Sequence, residues 1–187
     1  MKDTFLKNEF WMLSVQGAFQ RAGVYESNIL ENEFIRHAFR KGLRDYIENE
    51  LLEEYKLGVT EKKHLLNIQA FKSHAEIIGN GILKDNSFKY GIAQKLLNLY
   101  LKYLWVSGEI VEPVHFPVDA RIQKALNMGK DFYPWTKMTT EEEYMKVINK
   151  ANSIIIGTDL NWKGKFPSEI KSIAELELYL FSVETDY

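Results

Sequence analysis

The sequence predicts an all-α protein of seven to nine helices. Apolar residues recur at spacings of three and four along most of the chain, which is the period of an amphipathic helix. Capping residues and glycines stand where these periodic segments begin and end. Only residues 153–156 look like a short β-strand, and we find no second run to pair with it. With 187 residues, the chain is expected to form one domain, or two lobes that share a core.

The first half of the chain predicts three long helical segments. The first begins near Thr4, a candidate N-cap, and the second covers residues 27–56. Gly42 is a candidate break within the second segment, because glycine is a weak helix former. The third begins after Thr60 and ends at the Gly-Asn-Gly run at 79–81, which is a typical helix stop.

The second half is expected to hold the central helix of the core. Residues from Ser87 to Trp105 are apolar nearly all round the predicted helix, which is typical of a helix buried on most sides. A segment with two prolines, 106–117, follows in an extended form. Three shorter helices then close the chain, and we expect them at about residues 118–128, 140–151 and 168–181.

Composition excludes several classes of protein. The chain has no cysteine, which excludes a disulfide framework, a thiolate zinc site, an iron–sulfur cluster and a cysteine nucleophile. It has no apolar run long enough to span a bilayer and begins without an apolar signal region, so we expect no membrane partner and a cytoplasmic location. No cofactor is expected, since neither a phosphate-binding loop nor a dinucleotide-binding glycine motif is present.

Charge is unevenly distributed along the chain. The formal net charge is −2, yet residues 59–130 carry 10 basic and 6 acidic side chains between two acidic flanks. A basic middle segment favours an anionic partner such as nucleic acid. Lysines on a solvated helix surface would produce the same pattern.

One segment carries a pattern that points to chemistry. It runs from Phe88 to Asn98 and is followed along the chain by Asp119. Gly91 is expected at a tight turn before a helix, where outward-facing N–H groups form a site for an anion such as a DNA phosphate. Lys95 follows one helical turn later, and Asp119 lies after Pro117 at the start of another helix. The two side chains are expected to face one cleft.

These residues resemble two motifs of the helix-hairpin-helix DNA base-excision glycosylases and AP lyases. Gly-Ile-Ala-Gln-Lys at 91–95 is similar to that family's hairpin, and Val-Asp-Ala-Arg-Ile at 118–122 is similar to its downstream aspartate segment. The resemblance covers about residues 87–128. It implies a helix-hairpin-helix element at about residues 82–105, within a segment that reaches to about residue 130.

The resemblance also implies a reaction and roles for named residues. The partner would be double-stranded DNA with a damaged base, which is flipped out of the duplex and cut from its sugar. Lys95 would attack the sugar and form a Schiff base, and Asp119 would activate it or stabilise the positive charge on the sugar. The backbone N–H groups of Gly91, Ile92 and Ala93 would bind a DNA phosphate.

Other functions remain open at this point. The chain is alternatively a non-catalytic DNA-binding module of the same architecture, or a helical domain that binds another protein. In these alternatives Lys95 is an ordinary surface lysine and Asp119 serves only as a helix cap.

Aromatic and histidine residues supply the remaining candidates. Trp105, Tyr133 and Trp135 follow the hairpin in sequence and are candidates for a base-binding pocket, although aromatic residues at helical spacing more often belong to a core. Glu61 and His64 have the spacing of a metal-binding pair on one helix face, but the chain has no second copy of it. We therefore expect no metal site.

Overall fold

The computed structural model describes residues 1–183, and within them the chain forms eight α-helices and no β-strand. The all-α class is confirmed, and the number of helices lies within the predicted range. The helices are α1 (Lys2–Phe19), α2 (Glu33–Tyr46), α3 (Leu52–Leu57), α4 (Glu61–Ile78), α5 (Tyr90–Val106), α6 (Ala120–Ala125), α7 (Glu141–Ile155) and α8 (Ile173–Val183).

Helix α5 lies at the centre of the fold, as its apolar character predicts. It packs against α1, α4, α7 and the 3₁₀ turn Trp135–Lys137. Close packing with α1 depends on Gly17, where an added Cβ would lie 2.8 Å from a methyl carbon of Leu99. One hydrophobic core extends from Trp11 in α1 to Leu176 in α8.

Capping side chains set several helix starts. Thr60 accepts a hydrogen bond from the Lys63 N–H at the start of α4, as predicted. Thr140 and Glu143 form a reciprocal capping box at the start of α7. These bonds satisfy N–H groups that have no partner within the helix, so each helix starts at a defined residue.

Four local predictions were wrong, and two of them concern helix starts: α1 begins at Lys2, not after Thr4, and α8 begins at Ile173, not at about residue 168. Gly42 does not interrupt α2, because its missing side chain makes room for Ile78 of α4 and the helix continues through it. The irregular turn comes later, as a π-helical segment at Ile47–Leu51. Residues 153–156 form the end of α7 and its C-cap, not a strand, and Ile154 there packs into the core.

The segment between α5 and α6 places the aspartate motif at 118–122 beside the hairpin motif at 91–95. Residues 107–119 carry no regular secondary structure and run back along α5.

Helices α4 and α5 are joined by residues 79–89, which contain a 3₁₀ turn and, at Leu83, one antiparallel bridge to Tyr25. Within residues 1–183 no helix combines the length and apolarity that a membrane crossing requires.

Candidate active site

Lys95 and Asp119 meet in the structure, as their predicted placement requires. The Lys95 ammonium lies 3.2 Å from Oδ2 of Asp119. The Lys95 side chain is only 10% exposed and that of Asp119 is 26% exposed, so the pair is largely shielded but open to solvent on the aspartate side. The interpretation of Lys95 as an ordinary surface lysine therefore does not fit its surroundings.

Asp119 is both a helix cap and the partner of Lys95. Its Oδ1 accepts hydrogen bonds from the N–H groups of Arg121 (2.8 Å) and Ile122 (3.0 Å) at the start of α6. The other oxygen, Oδ2, faces Lys95. Capping fixes the orientation of the carboxylate, so that one oxygen is held by the helix and the second is presented to the amine.

A buried amide side chain fixes the backbone beside Asp119. Gln94 donates a hydrogen bond to the Val118 carbonyl (2.8 Å) and accepts one from the Val118 N–H (3.0 Å). One turn later on α5, Asn98 donates to the Phe116 carbonyl (3.2 Å). Together the two amides attach residues 116–118 to the helix that carries Lys95.

The surroundings of Lys95 act on its protonation in opposite directions. Burial lowers the pKa of the Lys95 amine below its ordinary value, because a charged ammonium is poorly solvated there. The carboxylate of Asp119 acts against this shift. The ammonium also lies over the ring of Trp135, 4.1 Å from its centre, which is a cation–π contact. The net direction is a lowered pKa, which increases the fraction of neutral, nucleophilic amine.

The three backbone N–H groups predicted to bind phosphate have partners within the protein. The Gly91 N–H donates to the Met138 carbonyl (3.0 Å), and those of Ile92 and Ala93 both donate to the Lys89 carbonyl (3.0 Å each). A phosphate would have to displace Met138 to reach the Gly91 N–H.

The three predicted pocket aromatics lie in different places. Trp135 is buried against Lys95, whereas Tyr133 is partly exposed and its backbone bonds to the side chain of Gln123. Trp105 lies ten residues after Lys95 on α5, about 15 Å along the helix axis. The structure thus brings only Trp135 to the lysine.

Free space at the site is small. The gap beside Asp119, Ile122 and Phe181 measures about 10 Å³, roughly the space for one water molecule. Helix α8 covers this side, where the buried ion pair between Lys102 and Glu177 (2.7 Å) connects it to α5. A nucleotide beside Asp119 therefore needs more room than this gap offers.

Two histidines lie in a buried polar cluster apart from this pair. His115 contacts the Tyr144 hydroxyl through Nδ1 (3.0 Å) and the Glu61 carboxylate through Nε2 (3.0 Å). His64 contacts the Tyr55 hydroxyl (2.8 Å), and its ring centre lies 4.9 Å from that of His115.

Burial lowers the pKa of both His64 and His115, since a charged imidazole is poorly solvated there. Glu61 contacts His115 and not His64, with which it shares a helix face in the sequence. The part of the chain that the structure describes contains no group of three or more His, Asp or Glu side chains arranged to bind a metal.

Sequence reasoning assigned no role to Gln94, Asn98, Lys102 and Glu177. The sequence does carry a signal for Gln94, Asn98 and Lys102, because these polar residues interrupt the otherwise apolar helix from Ser87 to Trp105. Polar groups in such positions are usually hydrogen-bonded in the core. Their partners, Val118, Phe116 and Glu177, lie too far along the chain for spacing to identify them.

Comparison of the chain with protein-family models, with curated protein sequences and with solved structures found no match. The geometry of the site and the motif resemblance are therefore the grounds on which a function can be assigned.

Proposed function

We propose that this protein is a DNA-repair glycosylase that removes a damaged base and cleaves the strand at the abasic site through a Schiff base on Lys95. The observation that carries the proposal is the contact between the shielded Lys95 amine and Asp119. Lys95 is buried between the carboxylate of Asp119, which the helix cap orients, and the ring of Trp135. That arrangement suits a nucleophile, since a desolvated amine loses its proton more readily.

The reaction begins with the neutral amine of Lys95. Its lone pair attacks C1′ of the damaged nucleoside as the glycosidic C–N bond breaks, and the base leaves with that electron pair and is then protonated. The nitrogen then loses one proton and its lone pair forms the C=N bond as the sugar C1′–O4′ bond opens and O4′ takes up a proton, which leaves a protonated Schiff base between C1′ and Nζ. Loss of a proton from C2′ then expels the 3′ phosphate and cleaves the strand.

Asp119 supports this reaction in two ways. Its Oδ2 atom accepts the proton that the Lys95 nitrogen must lose after it has bonded to C1′. Its negative charge also stabilises the positive charge that develops on the sugar as the base leaves. Both roles begin from the ionised carboxylate.

Borohydride trapping on a duplex with one abasic site tests the proposal. In such DNA the open sugar presents an aldehyde, which condenses with the Lys95 amine and releases water. Borohydride reduces the product to a stable amine, so that protein and DNA migrate together in a denaturing gel. We expect this adduct with the wild type and with Lys89→Gln, a control at the start of the same helix, but not with Lys95→Gln.

Two other outcomes separate the alternatives. Salt-sensitive DNA binding without an adduct in the wild type would favour a non-catalytic DNA-binding module, because phosphate contacts release counterions. Absence of DNA binding at low salt would favour a domain that binds another protein, and the repair proposal would be dropped.

A further inference from the structure

A groove between α1 and α2 is separate from the Lys95 site. Its volume is about 630 Å³, which is within the range of small-molecule binding sites. None of the residues that line it belongs to the site around Lys95 and Asp119. Trp11, which lines the groove, also packs edge-on against Tyr100 of α5.

The α1 side of the groove is mainly apolar. It consists of Trp11, Met12 and Val15, with the Gln16 amide beside them. Met12 is 54% exposed although it is a large apolar side chain. Such a surface lowers its free energy when a ligand with an apolar body covers it.

The α2 side of the groove is basic. His37, Arg40, Lys41 and Arg44 line it, and no acidic side chain does so. Arg44 also connects α2 to α1, because its Nη1 donates to Oδ1 of Asn8 (2.7 Å). The groove therefore combines an apolar wall with a wall of hydrogen-bond donors, of which Arg40, Lys41 and Arg44 carry positive charge.

The acidic partners of these cations lie outside the groove. Arg40 pairs with Glu33, and Lys41 pairs with Asp45 one turn later on α2. The Lys41 side chain is 65% exposed. The Lys41–Asp45 pair is exposed on both sides, so an anion in the groove competes with it at little cost. Arg40 and Arg44 are less exposed and pair with Glu33 and Glu48.

We infer that this groove binds a small organic acid, a carboxylate on an apolar body, with the carboxylate on the α2 cations and the apolar body against Trp11 and Met12. The two walls match the two halves of such a ligand. A groove of this volume suits a small molecule rather than a second folded chain. The inference does not depend on the proposed repair activity, because it uses other residues.

Isothermal titration calorimetry with octanoate, octanol and acetate tests the inference. Octanol has the apolar body without the charge, and acetate has the charge without the body. We expect octanoate to bind more tightly than either one. Lys41→Gln is expected to weaken octanoate binding about tenfold through loss of a charge-assisted bond, and the matched Lys56→Gln on α3 to leave it unchanged.

Two further readouts locate the ligand. The indole N–H NMR signal of Trp11 should shift on octanoate addition, and Met12→Glu, a surface change that adds a negative charge beside the groove, should abolish binding. The inference is overturned if octanoate does not bind at millimolar concentration. It is equally overturned if octanoate binds but Lys41→Gln and Met12→Glu leave the affinity unchanged. Binding that persists in Lys95→Gln separates this site from the proposed repair activity.

Discussion

The carbonyl oxygen of Trp135 occupies the space that a side chain on Gly91 would need. An added Cβ at Gly91 would lie 1.8 Å from that oxygen, far inside any allowed contact. Glycine at this position lets the Trp135 turn approach the start of α5, and the approach places the indole over Lys95. The structure thus supports a packing role for Gly91, which leaves room for the Trp135 turn and so allows the indole to lie over Lys95.

Gly91→Ala should destabilise the fold. The new methyl group meets backbone rather than a flexible side chain, so the Trp135 turn must move, at a cost of about 1–3 kcal/mol. Urea denaturation measures this loss. Gly42→Ala is the matched control, since its Cβ would meet only a terminal methyl carbon of Ile78 and alanine favours the helix. Equal stabilities for the two variants would contradict the packing role of Gly91.

Gln94→Met should disturb the position of Asp119 without changing the affinity for DNA. The change removes both hydrogen bonds to Val118 and leaves its buried N–H and carbonyl unpaired, at about 1–3 kcal/mol for each group. Residue 119 then loses its fixed place beside Lys95. We expect slower borohydride trapping at saturating DNA, with the DNA dissociation constant unchanged. A variant that folds and traps at the wild-type rate would show that Gln94 does not position Asp119.

Asp119→Asn should shift the pH dependence of trapping. In the wild type the rate rises with pH, since deprotonation of Lys95 supplies the neutral amine. The Asp119 carboxylate favours the ammonium, so its removal lowers the pKa of Lys95 further. We expect the rising limb to move to lower pH by about one unit, with a lower maximal rate because the proton acceptor is lost. A limb that stays in place, or moves to higher pH, would show that the two groups are not coupled.

Stability should fall on mild acidification because of the buried histidines. In the folded state the pKa values of His64 and His115 lie below their ordinary value of 6.5, so the unfolded chain binds more protons. Stability is therefore complete above pH 6.5 and is lost as the pH falls below it, by up to about 1.4 kcal/mol per pH unit for each histidine.

Urea denaturation across pH 5 to 7.5 (roughly the range in which histidine titrates) measures this slope. His64→Leu should reduce it, whereas substitution of the exposed His37 by Gln should not. An identical slope in wild type and His64→Leu would refute a role for the buried imidazole.

Much of the fold is predictable from the sequence because its signals are local. Thr60, Thr140 and the glycine at 79 define helix ends through bonds within a few residues, and these ends are found where expected. Gly42 and residues 153–156 were misread because their conformations depend on distant neighbours. Ile78 fills the space beside Gly42, and core packing holds Ile154 in a helix.

The candidate site also has features that the sequence indicates and features that depend on distant segments. The pairing of Lys95 with Asp119 follows from two motifs placed at helix starts, which sequence spacing can indicate. The contact of the Trp135 turn with Gly91 is a relation between distant segments, and no spacing rule reveals it. The same holds for the attachment of residues 116–118 by Gln94 and Asn98.

Peptide mapping of the borohydride-reduced adduct tests the central claim most directly. Wild-type protein is trapped on an abasic duplex, digested with nuclease and protease, and analysed by mass spectrometry for the residue that carries the sugar fragment. The account predicts that the fragment lies on Lys95. A fragment on another lysine or on the N-terminal amine, or no fragment on a protein that binds the duplex, would contradict it.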